Sequence, residues 1–305
     1  MNGVDRRGFL FGAAAASMAL SGVKNIEVPA SAAETKQKSG SPRLLVGCCA
    51  LSYLPYFNSG AMTMEDFIVK CAESGVQGVD VTTYWLKSTD PEYLTSLRHL
   101  AFKNGIPLSG VAIRTEMCQA GGALRDEQVR KIQQWVDATE TLGSAHLRVF
   151  GGDVPNGATN AQGIAWVAEC MKPASEYAGK KGITLGIESH GGITARASMI
   201  LEILHKVDSP FAGVNLDISN FHGNTDEEMY SDIEACVPKA THVHIRDVFS
   251  TTKRPIDLDK TWQLFAKGGY RGYMSAEYEG EEDPMTGVPK LLDKIKILCR
   301  KYSSV

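Results

Sequence analysis

Four residues in the C-terminal half of the chain have the chemistry of a cation site: Glu188, Asp217, His244 and Glu277. Each closes a short apolar run, namely Ile183-Thr-Leu-Gly-Ile-Glu188, Phe211-Ala-Gly-Val-Asn-Leu-Asp217, Ala240-Thr-His-Val-His244 and Tyr273-Met-Ser-Ala-Glu277. Three carboxylates and one imidazole make a hard, mostly oxygen donor set, suited to Mn²⁺ first and to Co²⁺, Mg²⁺ or Zn²⁺ as alternatives. Taken singly, each residue would read as a salt-bridge partner or helix cap at a strand end. Four at corresponding places on four runs favour a metal site, provided that the runs are neighbouring strands.

The chain supplies that arrangement. Apolar runs over 44–49, 76–82, 108–113, 145–150, 183–188, 211–217, 241–245 and 272–278 alternate with amphipathic stretches. The first helix opens at Thr63-Met-Glu-Asp66, a capping-box start, and helices follow over 91–104, 124–142, 161–181, 196–207, 226–236, 258–267 and 288–300. Eight βα units spaced by about 28–38 residues predict a single-domain (β/α)₈ TIM barrel over 43–305. The runs are continuously apolar, as in a parallel sheet covered on both faces. An open doubly wound sheet would need a Gly-rich phosphate turn after the first strand, and Gly47-Cys-Cys-Ala-Leu-Ser-Tyr53 is not one. Barrel enzymes carry their chemistry at the C-terminal strand ends, where the four residues fall.

Alternate residues of a strand face the same side, so parity extends the site. If Glu188 faces the interior, so does His190; His244 brings His242 and Arg246, Glu277 brings Glu279, and Asp217 brings Asn215 and Ser219. Buried carboxylates this close together require a cation or shared protons. Arg148, ahead of Phe150-Gly-Gly152, is a candidate contact for a carbonyl or carboxylate; paired to Glu116 or Asp80, it would be structural instead.

At this point the chain resembles the sugar phosphate isomerase/epimerase family of xylose isomerase-like barrels, which includes ketose 3-epimerases, inosose dehydratase and the endonuclease IV group. The likeness spans the barrel and rests on Gly186-Ile-Glu188, Leu216-Asp-Ile-Ser-Asn220, His242-Val-His-Ile-Arg-Asp247 and Ser275-Ala-Glu-Tyr-Glu-Gly280. It implies that Glu188, Asp217, His244 and Glu277 are the metal ligands. It also implies that Glu188 and Glu277 are the catalytic pair, exchanging a proton on opposite faces of a carbon next to a carbonyl. A divalent cation makes such a C–H acidic by stabilising the enediolate oxygen. His190, Arg148, Arg246 and Asn220 are the expected substrate contacts. The substrate expected is a small carbohydrate, a keto-sugar for an isomerase or epimerase. The competing outcome is metal-assisted β-elimination from a 3-oxo-glycoside, a lyase or hydratase reaction. Relatives are often dimers or tetramers, so the same likeness suggests a homo-oligomer. In two places the chain departs from the ketose 3-epimerase branch: Asn220 stands for a His three residues after the metal-binding Asp, and Ser250 for an Arg six residues after the metal-binding His.

The remaining features bound the setting. Asp5-Arg-Arg-Gly-Phe-Leu10, the weakly apolar stretch 11–22 and Ala30-Ser-Ala32 read as a twin-arginine signal peptide over 1–33, followed by a linker over 34–42. The expectation is a periplasmic or secreted protein, with no stable membrane anchor once the segment is cleaved. A net charge of −3 argues against nucleic acid as a partner, and so against the endonuclease chemistry within the same family. The seven cysteines include no CxxC and lie mostly in apolar surroundings, so they read as small buried hydrophobes.

Overall fold

The computed structural model describes residues 42–303; the expected signal peptide and all of the linker but Pro42 lie outside them. Eight parallel strands close into a barrel in sequence order: β1 Arg43–Cys49, β2 Gly78–Thr82, β3 Leu108–Ala112, β4 His146–Val149, β5 Thr184–Glu188, β6 Ala212–Asp217, β7 Ala240–Ile245 and β8 Arg271–Ala276. β1 pairs with both β2 and β8, so no edge strand is left. The eight-unit reading of the sequence is therefore correct, and the chain folds as one TIM barrel.

The described helices are α1 Leu54–Asn58, α2 Met64–Glu73, α3 Pro91–Lys103, α4 Gly122–Leu142, α5 Asn160–Gly179, α6 Ala197–Val207, α7 Asp226–Cys236, α8 Leu258–Lys267 and α9 Pro284–Tyr302. Local sequence sets their starts. Thr63 and Asp66 form the expected capping box of α2, and Thr159 and Gln162 form a second one at α5. Gly143 closes α4 in the left-handed region at φ 77°, which glycine reaches without a Cβ penalty. α1, and the 3₁₀ turn over Ala50–Tyr53 before it, are too short to show a hydrophobic period and were not foreseen.

Two apolar layers follow. β2, β3 and β4 are buried at every residue, as the continuous apolar runs required. Outside them the helices press their apolar stripes onto the barrel; α8 buries Trp262 and Phe265 completely. All seven cysteines are free and buried. Among the described residues, no helix is long and apolar enough to cross a membrane. Thr63→Ala removes a side-chain acceptor for the Asp66 N–H. It is expected to lower unfolding free energy by about 1 kcal/mol in urea titration without changing cation binding.

Candidate metal centre

Glu188 and Asp217 are the last residues of β5 and β6, His244 is the last but one of β7, and Glu277 is the first residue beyond β8. Asp217 stands opposite His244 in the ladder, and His244 opposite Ser275. The donor atoms of all four lie within 4.8 Å of one another, and the side chains are 0–2 % exposed. His244 Nδ1 is 2.5 Å from Glu277 Oε2 and 3.7 Å from Glu188 Oε1. Although buried, Glu277 Oε2 has no hydrogen-bond partner in good geometry. Donor atoms crowded together without bonding one another are what a cation reconciles, so these residues fit a divalent ion.

Two buried arginines balance the carboxylates. Arg148, on β4, reaches Glu188 Oε2 at 2.6 Å; it pairs with neither Glu116 nor Asp80, because the register carries it toward β5. Its guanidinium also lies 4.0 Å over the Phe150 ring. Arg246 places Nε 3.1 Å from Asp217, Nη2 2.5 Å from Glu277, and Nη1 against Glu279. Burial works to raise Glu188, yet Arg148 first and His244 second hold it below its ordinary value. Glu277 is likewise held well below the carboxylate range by His244 and Arg246, against its burial. Asp217 goes the other way: burial pushes it up to about 6 against the pull of Arg246, with Glu277 and Glu188 adding to the rise.

Asp217 is also held from its own loop. Ser219 donates its backbone N–H and hydroxyl to Oδ1 at 2.8 and 2.7 Å, and Asn220 donates to Oδ2 at 2.7 Å. Ser250 donates to Asn220 Oδ1 at 2.6 Å. The two positions that depart from the ketose 3-epimerase pattern are thus bonded to each other, and Asn220 spends its amide on Asp217.

His190 lies apart from the quartet. β5 ends at Glu188, so strand parity does not extend to it. Its ring is exposed and packs 4.4 Å from Phe150, in a polar cleft of about 120 Å³ with Arg114, Glu116, Asp153 and Thr194. Of the four expected substrate contacts, Arg148, Arg246 and Asn220 sit beside the quartet, bound to its carboxylates, while His190 lines this adjoining wall.

Asp80, in the middle of β2, was not foreseen as part of the centre. It is 3 % exposed and its Oδ2 lies 2.7 Å from His244 Nε2. Burial would raise its carboxyl, but His242 and His244 hold it down at about 2. Cys49 completes a second group with Asp80 and His244, their donor atoms again within 4.8 Å. A lone charge inside the run Gly78-Val-Asp-Val-Thr82 was the available signal, the same kind that marked the other four.

A closed (β/α)₈ barrel with a carboxylate–imidazole quartet at its C-terminal mouth defines the class of protein. More closely, the chain belongs to the xylose isomerase-like TIM barrel family, whose model matches residues 68–298. Over 80 residues it is 35% identical to the α subunit of a C-glycoside deglycosidase from Arthrobacter globiformis, a match covering 25% of this chain and 22% of that protein. The chain thus aligns with about a fifth of the length of that curated relative. Among solved structures it is similar to an L-ribulose 3-epimerase, with TM-score 0.71, 14% identity, and 85% and 95% of the two chains covered. It is also similar to a 3-keto-D-glucoside 4-epimerase from E. coli, with TM-score 0.64, 12% identity, and 84% and 99% covered. At these identities the structural likeness establishes the fold alone.

Arg148→Met would leave the Glu188 carboxylate buried without its counter-charge. A loss of about 3–5 kcal/mol in unfolding free energy is expected in chelator, with part of it restored by saturating Mn²⁺. Denaturation with and without the ion measures both.

Proposed function

We propose that the protein is a divalent-metal-dependent sugar isomerase or epimerase acting on a keto-sugar by proton transfer next to the carbonyl. The observation that carries this reading is the pair Glu188 and Glu277: two carboxylates facing one cation position, each with one oxygen against a different buried arginine. When bound by Glu188, Asp217, His244 and Glu277, the cation would supply the positive charge that makes a C–H beside a carbonyl acidic.

The chain's own groups divide the remaining work. Arg148 and Arg246 fix Glu188 Oε2 and Glu277 Oε1, which orients both carboxylates. Their depressed proton affinities keep both ionised near neutral pH, so either can take a proton from a substrate carbon held between them. The other delivers to the opposite face a proton of its own, taken up from solvent, which inverts that carbon, and the first releases to solvent the proton it took. Asp217, tied by Ser219, Asn220 and Arg246, serves as a fixed ligand rather than a base. His190 and Arg114 line one polar cleft, where they would meet sugar hydroxyls.

A second reading, a lyase acting on a 3-oxo-glycoside, is favoured by a specific feature. The segment that follows Glu277 in sequence lines a cleft of about 750 Å³, with Leu51, Leu54, Tyr278 and Pro284 beside the acidic Glu279 and Glu281. A monosaccharide alone would not need that space, and an acidic rim disfavours a phosphorylated one. The local similarity to a C-glycoside deglycosidase subunit supports the same direction. Export through the twin-arginine segment belongs to this proposal as well, since outside the cytoplasm phosphorylated sugars are scarce.

The deciding experiment incubates Mn²⁺-loaded protein with a panel of keto-sugars in D₂O and follows proton NMR. Deuterium should enter at the carbon next to the carbonyl, and Glu188→Gln or Glu277→Gln should slow its entry by about 10²–10⁴-fold. Exchange that is indifferent to both substitutions would overturn the assignment. Release of nitrophenol from a 4-nitrophenyl 3-oxo-glucoside, in place of an epimer, would select the lyase.

A further inference from the structure

The quartet presents its imidazole in a specific way. His244 turns Nδ1 toward Glu277, Glu188 and Asn215, and turns Nε2 away from them, down into the barrel. There, Asp80 Oδ2 lies 2.7 Å from Nε2. A neutral imidazole carries one N–H and one lone pair, and which nitrogen has which is decided by the hydrogen bond the ring makes. A carboxylate offers acceptors only, so Nε2 must be the donor in this contact. Nδ1, which meets the Glu277 carboxylate at 2.5 Å, is then the nitrogen that gives up its proton and offers a lone pair when a cation joins the other three ligands.

We propose that Asp80 is a positioning residue for the metal centre: it locks His244 in the Nε2–H tautomer and fixes its ring plane, so that Nδ1 is always the ligating atom. This rests on the reading of the quartet as a cation site and extends it to a residue outside the quartet.

The surroundings show that space is kept for this contact. Gly110, on the neighbouring strand β3, leaves a gap: a Cβ there would lie 3.1 Å from Asp80 Oδ1 and 3.3 Å from His242 Nε2. Asp80 is opposite Gly110 and opposite Cys49 in the ladder, so small or narrow neighbours flank it on both sides. His242 Nδ1 stands 3.9 Å from Asp80 Oδ2, beyond hydrogen-bond reach, and both His242 ring nitrogens lack hydrogen-bond partners. The 2.7 Å bond of Asp80 is therefore made to His244 rather than to His242. Orientation of a ligating histidine by a carboxylate on its other nitrogen raises its basicity, and loss of such a partner costs about 10–100-fold in metal affinity.

The test compares wild type, Asp80→Asn and Asp80→Ala by Mn²⁺ titration and by long-range ¹H–¹⁵N correlation of ¹⁵N-histidine-labelled, Mg²⁺-loaded protein. Asp80→Asn keeps an acceptor and the side-chain volume, and so guards against simple misfolding. Expected are Mn²⁺ affinity lowered by about 10–100-fold in Asp80→Ala and by less in Asp80→Asn, with the Nε2–H pattern of His244 present in wild type and lost in Asp80→Ala. Wild-type affinity and an unchanged tautomer in the folded variants would overturn the positioning role while leaving the quartet intact. If wild type itself takes up no Mn²⁺, the quartet reading fails, and this inference with it.

Discussion

The structure turns on a single constraint: at least five ionisable groups are buried together in the upper half of one barrel. Glu188, Asp217, Glu277 and Asp80 are 3 % exposed or less, and His244 lies among them at 0 %. Carboxylates this close cannot all be ionised without positive charge nearby. Arg148 and Arg246 supply part of it from inside the fold. The remaining imbalance makes the mouth of this barrel a place for a cation. A purely apolar core would have been easier to fold, so the cluster reads as a site rather than as packing.

The same constraint explains how the surrounding residues are used. Each carboxylate has one side committed to protein and another turned to the common point. Glu188 gives Oε2 to Arg148, Glu277 gives Oε1 to Arg246, and His244 gives Nε2 to Asp80. The opposite atoms, Glu188 Oε1, Glu277 Oε2 and His244 Nδ1, face one another. Preorganisation here means that the outward-facing atoms are held by bonds on their inward-facing partners. Asp217 differs, since both its oxygens accept bonds from protein. That holds Asp217 in one place more firmly than its neighbours.

Much of this was legible in the sequence because the signals were periodic. Eight apolar runs separated by amphipathic stretches leave few topologies, and a polar residue at the end of a buried strand stands out against its apolar run. Legibility failed where periodicity ends. Strand parity placed Arg246 beside the quartet, since it follows β7 by one residue, but does not reach His190, because β5 stops at Glu188 and Gly191 takes φ 98° in the loop that follows. Partnership was also unreadable: that Arg148 would meet Glu188 depends on the β4–β5 register, which no local pattern encodes. Asp80 was visible as a charge within a strand, yet only the closed barrel brings it to a residue 164 positions away.

The departures from the ketose 3-epimerase pattern follow the same logic of coupled pairs. That pattern has a His and an Arg where this chain has Asn220 and Ser250. Asn220 and Ser250 instead bond to each other, and Asn220 turns its amide onto Asp217. Two short side chains thus support Asp217, one directly and one through the other. Meanwhile the wide cleft lies on the other flank, past Glu277 and Glu279. Arg246 links the two regions, since it touches Asp217, Glu277 and Glu279 at once. The wide cleft thus lies toward the β8–β1 side, while the polar side chains after β6 and β7 are committed to Asp217 and to each other. A barrel can change what it recognises in this way without moving the charges that its interior has to balance.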